Sequence, residues 1–220
     1  MQTPITRNFT AGTAVLALFL VAVGESLAVD EFDKPPINYR VATPDNCVTR
    51  LQKKLDAGQE AFQYDADQGY LKSLLSALNV PPESQMLVFS KTSLQQRRIA
   101  PRTPRAIYFN DDVYVGYCQS GDVLELSAVD AQLGTVFYTL DQEQSEKPQL
   151  QRRTDNCLVC HSSSRTGGIP GHVVRSLYVD AGGQPIYSAG SRMVDHTTPI
   201  KERWGGWYVT GKHGEQTHVG

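Results

Sequence analysis

AIYFNDDVYVGYCQSGDVLELSAVDAQLGTVFYTL, residues 106–140, sets the architecture of this chain. Four runs rich in β-branched and aromatic residues, 106–109, 113–117, 123–129 and 135–140, are separated by short segments containing Asn, Asp, Ser, Gln and Gly. Such runs favour strands, and turn residues at this spacing join neighbouring antiparallel strands. The stretch therefore predicts an antiparallel β-meander.

The sequence before the meander predicts two helices. Thr43 followed by Pro44 is typical of a helix start, and apolar residues then recur with helical spacing as far as Leu55. A second helix is predicted from about residue 67 to 78, where leucines fall at i, i+3, i+4 and i+7. Residues 86–90 form a short strand candidate.

The sequence after the meander has no long helical pattern. Residues 142–153 are predicted to be a polar surface connection, and 162–171 a loop rich in Ser and Gly. A hairpin is predicted from 172–179 and 185–188, and a further strand at 207–209. The predicted fold class is α+β, with two N-terminal helices, an antiparallel meander and a loop-rich C-terminal segment with short strands.

The first 28 residues have the order of a secretory signal peptide. Ten apolar residues, AVLALFLVAV at 14–23, precede the small-residue site Ser26-Leu27-Ala28. Crossing a bilayer takes about 20 apolar residues, so an uncleaved anchor is the weaker alternative. We therefore predict an exported, periplasmic protein with no stable membrane span in its mature chain. Residues 29–42 are expected to be an extended lead-in, and 43–220 a single α+β domain.

Composition excludes several classes of protein. Hydrophobic residues make up 40% of the chain, which excludes collagen-like and wholly disordered proteins. The net charge is −2, from 21 basic and 23 acidic side chains, and this balance argues against a nucleic-acid binder.

The motif that carries chemistry is Cys157-Leu158-Val159-Cys160-His161, a CxxCH sequence. Two cysteines separated by two residues can bond to the two vinyl groups of one haem, and the adjacent histidine can then bind the iron. The motif is similar to that of c-type cytochromes and of exported bacterial proteins with one CxxCH. The resemblance implies one covalent haem c, with Cys157 and Cys160 as thioether sites and His161 as proximal ligand.

The resemblance departs from the common cytochrome c layout. That fold is nearly all helical and has CxxCH close to its N-terminus, whereas more than a hundred residues precede the motif here. The predicted haem-binding segment is therefore about 154–220, within a different scaffold. The later segment RWGGWYVTG, residues 203–211, belongs to the same resemblance and implies no activity.

The second axial ligand is not fixed by the motif. The downstream candidates are His172, Met193, His196, His213 and His218. His196 is preferred because it lies in a polar segment, and Met193 is the alternative, whereas His172 is close to the motif along the chain. Methionine ligation raises the reduction potential of haem.

Three functions follow from these residues. The preferred one is an exported mono-haem c-type cytochrome-like protein that transfers electrons to or from an unidentified redox partner protein, rather than a catalyst. A haem enzyme or sensor with an open distal site is an alternative, in which His172 or Arg192 acts on the bound ligand. A zinc-binding module or a redox dithiol is the other, although no second ligand pair with zinc spacing stands out.

Two further features leave alternatives open. Cys47 and Cys118 are either a disulfide, as an exported protein permits, or two separate buried thiols. Residues 91–105 carry five basic and no acidic side chains. This basic run is either a solvated loop or a surface that meets haem propionates or an acidic redox partner.

Overall fold

The structure is a computed structural model that describes residues 30–220, apart from the side chain of Arg165. Its helices are α1 Cys47–Asp56, α2 Leu71–Ala77 and α3 Asn156–His161, and its strands are β1 Met86–Val88, β2 Arg105–Phe109, β3 Val113–Tyr117, β4 Val123–Asp130, β5 Gly134–Asp141, β6 Leu150–Arg153, β7 Val174–Leu177 and β8 Ser191–Val194. The α+β class is confirmed. The predicted signal peptide lies outside the described residues.

One six-stranded antiparallel sheet forms the centre of the fold, with strand order β1-β2-β3-β4-β5-β6. Each strand pairs with the next in sequence, as the turn residues predict. The prediction of a surface connection over 142–153 is wrong at its end, because Leu150 pairs with Leu140 and Leu150–Arg153 adds the sixth strand. Only Leu150 of its four residues is buried, so the strand shows little of the alternation between buried and exposed residues that predicts a strand.

The first face of the sheet carries the main hydrophobic core. Residues of β4 alternate between buried and half-buried, and Leu124, Leu126 and Ala128 join one cluster with the buried residues of α1 and α2. Amphipathic helices that cover one face of an antiparallel sheet are the usual way to bury such a surface. The second face, which includes Glu125 and Phe137, faces the C-terminal segment.

Helix α1 begins three residues later than Thr43-Pro44 predicts. The side chain of Asn46 accepts hydrogen bonds from the amides of Val48 and Thr49, so Asn46 is the N-cap. Its Nδ2 also donates to the hydroxyl of Tyr138 at 2.9 Å. Asn46 therefore fixes both the start of α1 and its position on the sheet.

Residues 30–42 are not the extended lead-in that the sequence predicts. Glu31–Asp33 forms a short 3-10 helix followed by turns, and Phe32 and Tyr39 are buried against each other at 5.6 Å between ring centroids. The Tyr39 hydroxyl donates to the Thr135 carbonyl at 2.9 Å. Two aromatic side chains thus tie this segment to the core.

A two-stranded sheet follows α3. Strand β7 pairs with β8, whereas the sequence predicts that 172–179 pairs with 185–188. The predicted hairpin is formed only near its turn, where Val179 bridges Pro185, the Ile186 amide donates to the Tyr178 carbonyl at 2.8 Å and the Asp180 amide donates to the Gln184 carbonyl at 2.9 Å. Pro185 lacks an amide donor, which limits pairing there. Between residues 30 and 220, no helix has the length and apolar character needed to cross a membrane.

The RWGGW segment joins the two sheets. Trp207 bridges Val88 of β1, and its indole Nε1 donates to the Arg175 carbonyl of β7 at 2.8 Å. The Gly205 carbonyl accepts from the Leu177 amide at 3.1 Å. The short strand predicted at 207–209 is thus a single bridge, and the two glycines let the backbones approach closely.

Replacing Gly205 with alanine is expected to destabilise the protein by about 1–3 kcal/mol, because the new methyl group would overpack this junction. A Cβ built there lies 2.6 Å and 2.7 Å from the Leu177 carbonyl oxygen and amide nitrogen, neither of which can move freely. Urea unfolding measures the effect. Gly182→Ala is the control, because its built Cβ meets only the Asp180 carboxylate at 3.3 Å. Equal losses in both variants would contradict this account.

Candidate functional site

The CxxCH motif forms helix α3, directly after β6. The sequence indicates a loop here, and the helix escapes prediction because only Leu158 of its six residues is buried. Cys157, Cys160 and His161 stand at i, i+3 and i+4, which places them on one side of the helix. Cys157 is half-buried against the core and Cys160 is exposed. Burial raises the pKa of the Cys157 thiol to about 11.

His161 is held in a defined orientation. Its Nδ1 lies 2.9 Å from the Gly171 carbonyl oxygen, and the Gly171 amide donates to the His161 carbonyl at 2.9 Å. A carbonyl only accepts hydrogen bonds, so Nδ1 carries the proton and Nε2 keeps a free lone pair. Burial lowers the pKa of His161, which favours the neutral ring. Metal-binding histidines are commonly oriented by a hydrogen bond of this kind.

The second face of the sheet lies beneath α3 and the loop that follows. The Thr135 amide donates to the Pro170 carbonyl at 3.0 Å, which attaches this loop to β5. The His161 ring packs on Phe137, with centroids 4.6 Å apart. The sequence does not identify Phe137 or Gly171 as site residues. Phe137 is on this face because it pairs with Ser127 of β4, and residues 135–140 are all buried, so no alternation marks it. Nothing in the sequence indicates that the Gly171 carbonyl meets the motif.

Several exposed apolar side chains surround the motif. Val159 of α3 is 77% exposed, and Ile169 and Val129 are about half exposed. Val129 is opposite Thr135, which is bonded to the loop that carries Ile169. Apolar side chains grouped in this way are typical of a surface that an apolar ligand or partner covers.

A partly buried ion pair lies on the same face of the sheet. Arg105 Nη2 is 2.7 Å from Glu125 Oε2, and the Gln95 amide donates to the other carboxylate oxygen at 3.0 Å. These partners occupy the Glu125 carboxylate on both oxygens. Arg105 is therefore a structural member of the basic run and not a free surface charge.

The rest of the basic run remains at the surface. Arg98 is 2.8 Å from the Asp122 carboxylate. Lys91 and Arg97 line an open cleft of about 400 Å³ together with Gln96 and Gln184. The run is thus part ion-paired and part exposed positive charge.

The two preferred distal candidates lie on the β7–β8 hairpin. Met193 is opposite Arg175 in the pairing of β7 with β8. His196 is exposed in the turn after β8, and its carbonyl accepts from Arg203. In the described part of the chain, neither side chain has a hydrogen bond or ring contact with His161. Sequence alone does not place this hairpin.

The remaining histidines divide into two groups. His213 and His218 contact each other near the end of the chain, with ring centroids 4.8 Å apart. His172 contacts Tyr114 of β3 at 4.7 Å and lies on the same sheet face as His161. The structure therefore brings His172 nearest to the motif. Across residues 30–220, no three or more His, Cys, Asp or Glu side chains are grouped closely enough to hold a metal ion.

Cys47 and Cys118 are free thiols, so the predicted disulfide is not formed. Cys47 begins α1, near Asp112, which precedes β3, whereas Cys118 follows the other end of β3. A five-residue strand separates its ends by roughly 17 Å, and a disulfide needs Cα atoms within about 7 Å. The structure therefore agrees with the alternative prediction, two separate thiols.

No protein-family model, curated protein or solved structure matches this chain. What the site does is therefore judged from the chemistry of its own residues.

Proposed function

We propose that this protein is an exported mono-haem c-type cytochrome-like protein that transfers electrons. Cys157 and Cys160 would hold the haem covalently, and His161 would bind its iron. The haem supplies reversible one-electron chemistry when it is bound. The protein's residues would attach it and orient the proximal ligand.

The observation that carries the proposal is the hydrogen bond between His161 Nδ1 and the Gly171 carbonyl. It leaves Nε2 as the only free ring nitrogen of a side chain that helix spacing puts on the same side of α3 as the two cysteines. Histidines that bind metals are commonly oriented by such a bond, which also raises the basicity of the ring. A histidine that only fills space needs no such arrangement.

The cysteines suit thioether formation. Each thiol adds across a vinyl C=C bond, which forms a C–S bond and transfers the thiol hydrogen to the neighbouring carbon, so that no oxidant or reductant is consumed. Cys160 is exposed, and Cys157 is at the edge of the core beside the exposed apolar surface. Both thiols are free for this reaction.

The residues fit haem better than zinc. A structural zinc site needs four ligands, and among residues 30–220 no three or more His, Cys, Asp or Glu side chains are grouped closely enough to hold a metal ion. The exposed Val129, Val159 and Ile169 also offer an apolar surface, which suits a porphyrin and has no role in a zinc site.

An electron-transfer protein needs a redox partner, and the exposed part of the basic run suits an acidic one. Lys91 and Arg97 line the same cleft and have no ion-pair partner within residues 30–220. Positive charge on one side of a protein steers acidic partners into contact. We propose the periplasm as the compartment of this exchange, because residues 1–28 have the order of a secretory signal peptide.

Expression of the chain with its signal peptide, in a bacterial strain that carries haem-attachment machinery, tests the proposal. We expect an intact mass that corresponds to the mature chain plus one haem, and a pyridine haemochrome spectrum of the c type. Reversible one-electron reduction is the expected redox behaviour. A chain without a haem adduct, or one that holds zinc in its place, would refute the proposal.

A further inference from the structure

We propose that His172 is the second axial ligand of the iron, in place of His196 or Met193. This inference rests on the proposed function and adds to it the identity of the distal residue. Two imidazoles as axial ligands would close the iron to exogenous ligands and favour electron transfer over ligand chemistry.

The two histidines stand above one cross-strand row of the sheet. Tyr114 is opposite Ser127, and Ser127 is opposite Phe137, so the three residues cross β3, β4 and β5 on the second face. His172 packs on Tyr114 at 4.7 Å and His161 packs on Phe137 at 4.6 Å. Neighbouring strands are about 4.8 Å apart, so the two supporting residues are separated by roughly 10 Å.

The middle of this row is small. Ser127 lies between two aromatic residues, and Val129, two residues further along β4 on the same face, is exposed. The two imidazoles therefore stand over one row with the small Ser127 side chain between their supports, and the His172 ring reaches the Ser127 backbone.

The backbone fixes the spacing of the two histidines. The paired hydrogen bonds between His161 and Gly171 hold that glycine against the proximal ring. His172 is the next residue, and its ring retains an exposed side. His172 is close to the motif along the chain, which argues against it in the sequence. The loop crosses from β5 to β3, however, so the two rings stand over different strands.

The competing candidates lie on the hairpin that follows His172. Met193 pairs with Arg175, whose carbonyl accepts from the Trp207 indole, and Trp207 bridges Val88 of β1. His196 is exposed in the turn after β8. Within residues 30–220, His172 and His161 are the histidines whose rings pack on the row of Tyr114, Ser127 and Phe137.

The test compares His172→Ala, His196→Ala and Met193→Ala in the haem-loaded protein. All three should retain one haem by intact mass, because attachment depends on the cysteines. We expect His172→Ala alone to change the oxidised iron from low spin to high spin, as seen in its absorption and electron paramagnetic resonance spectra. Its reduced form should then bind carbon monoxide, and added imidazole should restore the low-spin spectrum.

A low-spin spectrum in His172→Ala, or its loss in His196→Ala or Met193→Ala instead, would overturn the assignment while leaving haem attachment standing. A wild-type chain without haem would overturn both proposals. His172→Met is the second variant. It should stay low spin with a higher reduction potential. Circular dichroism of each variant separates a ligand effect from misfolding, which would remove the wild-type spectrum altogether.

Discussion

Replacing both Cys157 and Cys160 with alanine is expected to abolish covalent haem attachment, with the haem-bearing fraction of exported protein falling from nearly all to none. Attachment uses one C–S bond for each thiol, and the structure has no other cysteine on this side of α3. His161 alone would hold haem by one coordinate bond, which denaturation breaks. Intact-mass measurement after denaturation therefore distinguishes the variant from wild type.

Cys47→Ala is the matched control for this experiment. Cys47 is half-buried like Cys157 and burial raises the pKa of both thiols, but it begins α1 and is far from the motif along the chain. The control should retain one haem per chain. Each single variant, Cys157→Ala or Cys160→Ala, should retain a single thioether and a shifted pyridine haemochrome spectrum. Covalent haem on the double variant would contradict the assignment of these residues.

Leu124→Ala is expected to lower the free energy of unfolding by about 2–5 kcal/mol, the range for buried leucine truncation. Leu124 is the second residue of β4, is 0% exposed and pairs with Leu140, which is also fully buried. The deleted methyl groups leave a cavity between the sheet and its helices. Such a loss is a large fraction of the stability of a domain of this size.

Urea unfolding of the haem-free protein measures this loss, and Leu94→Ala is the control. The chemical change is the same, but Leu94 is 46% exposed and its truncation leaves no enclosed cavity. The control should cost less than about 1 kcal/mol, as surface substitutions usually do. Similar losses in the two variants would show that the first face of the sheet is not the main source of stability.

The meander could be predicted from sequence because its signals are local. Turn residues such as those at 110–112 and 120–122 reverse the chain, and alternation along β4 separates the core face from the other face. Strand β6 and helix α3 escaped prediction because each is short and buries one residue. Their formation depends on neighbours that only the folded sheet supplies.

The structure of residues 30–42 could not be predicted from local sequence either. Phe32 and Tyr39 are separated by polar residues and prolines, so no periodic pattern marks them as core residues. The Thr135 carbonyl, which accepts from Tyr39, is 96 residues further along the chain. A contact between residues so far apart along the chain cannot be predicted from a short stretch of sequence.

The amino-acid sequence alone specifies the antiparallel meander, the two N-terminal helices and the CxxCH motif, because each depends on residues within a few positions of one another. The choice between His172, Met193 and His196 is decided by the tertiary structure. The side of the sheet on which each imidazole stands depends on strand register and on the path of the loop through Gly171, and these follow from contacts among distant residues.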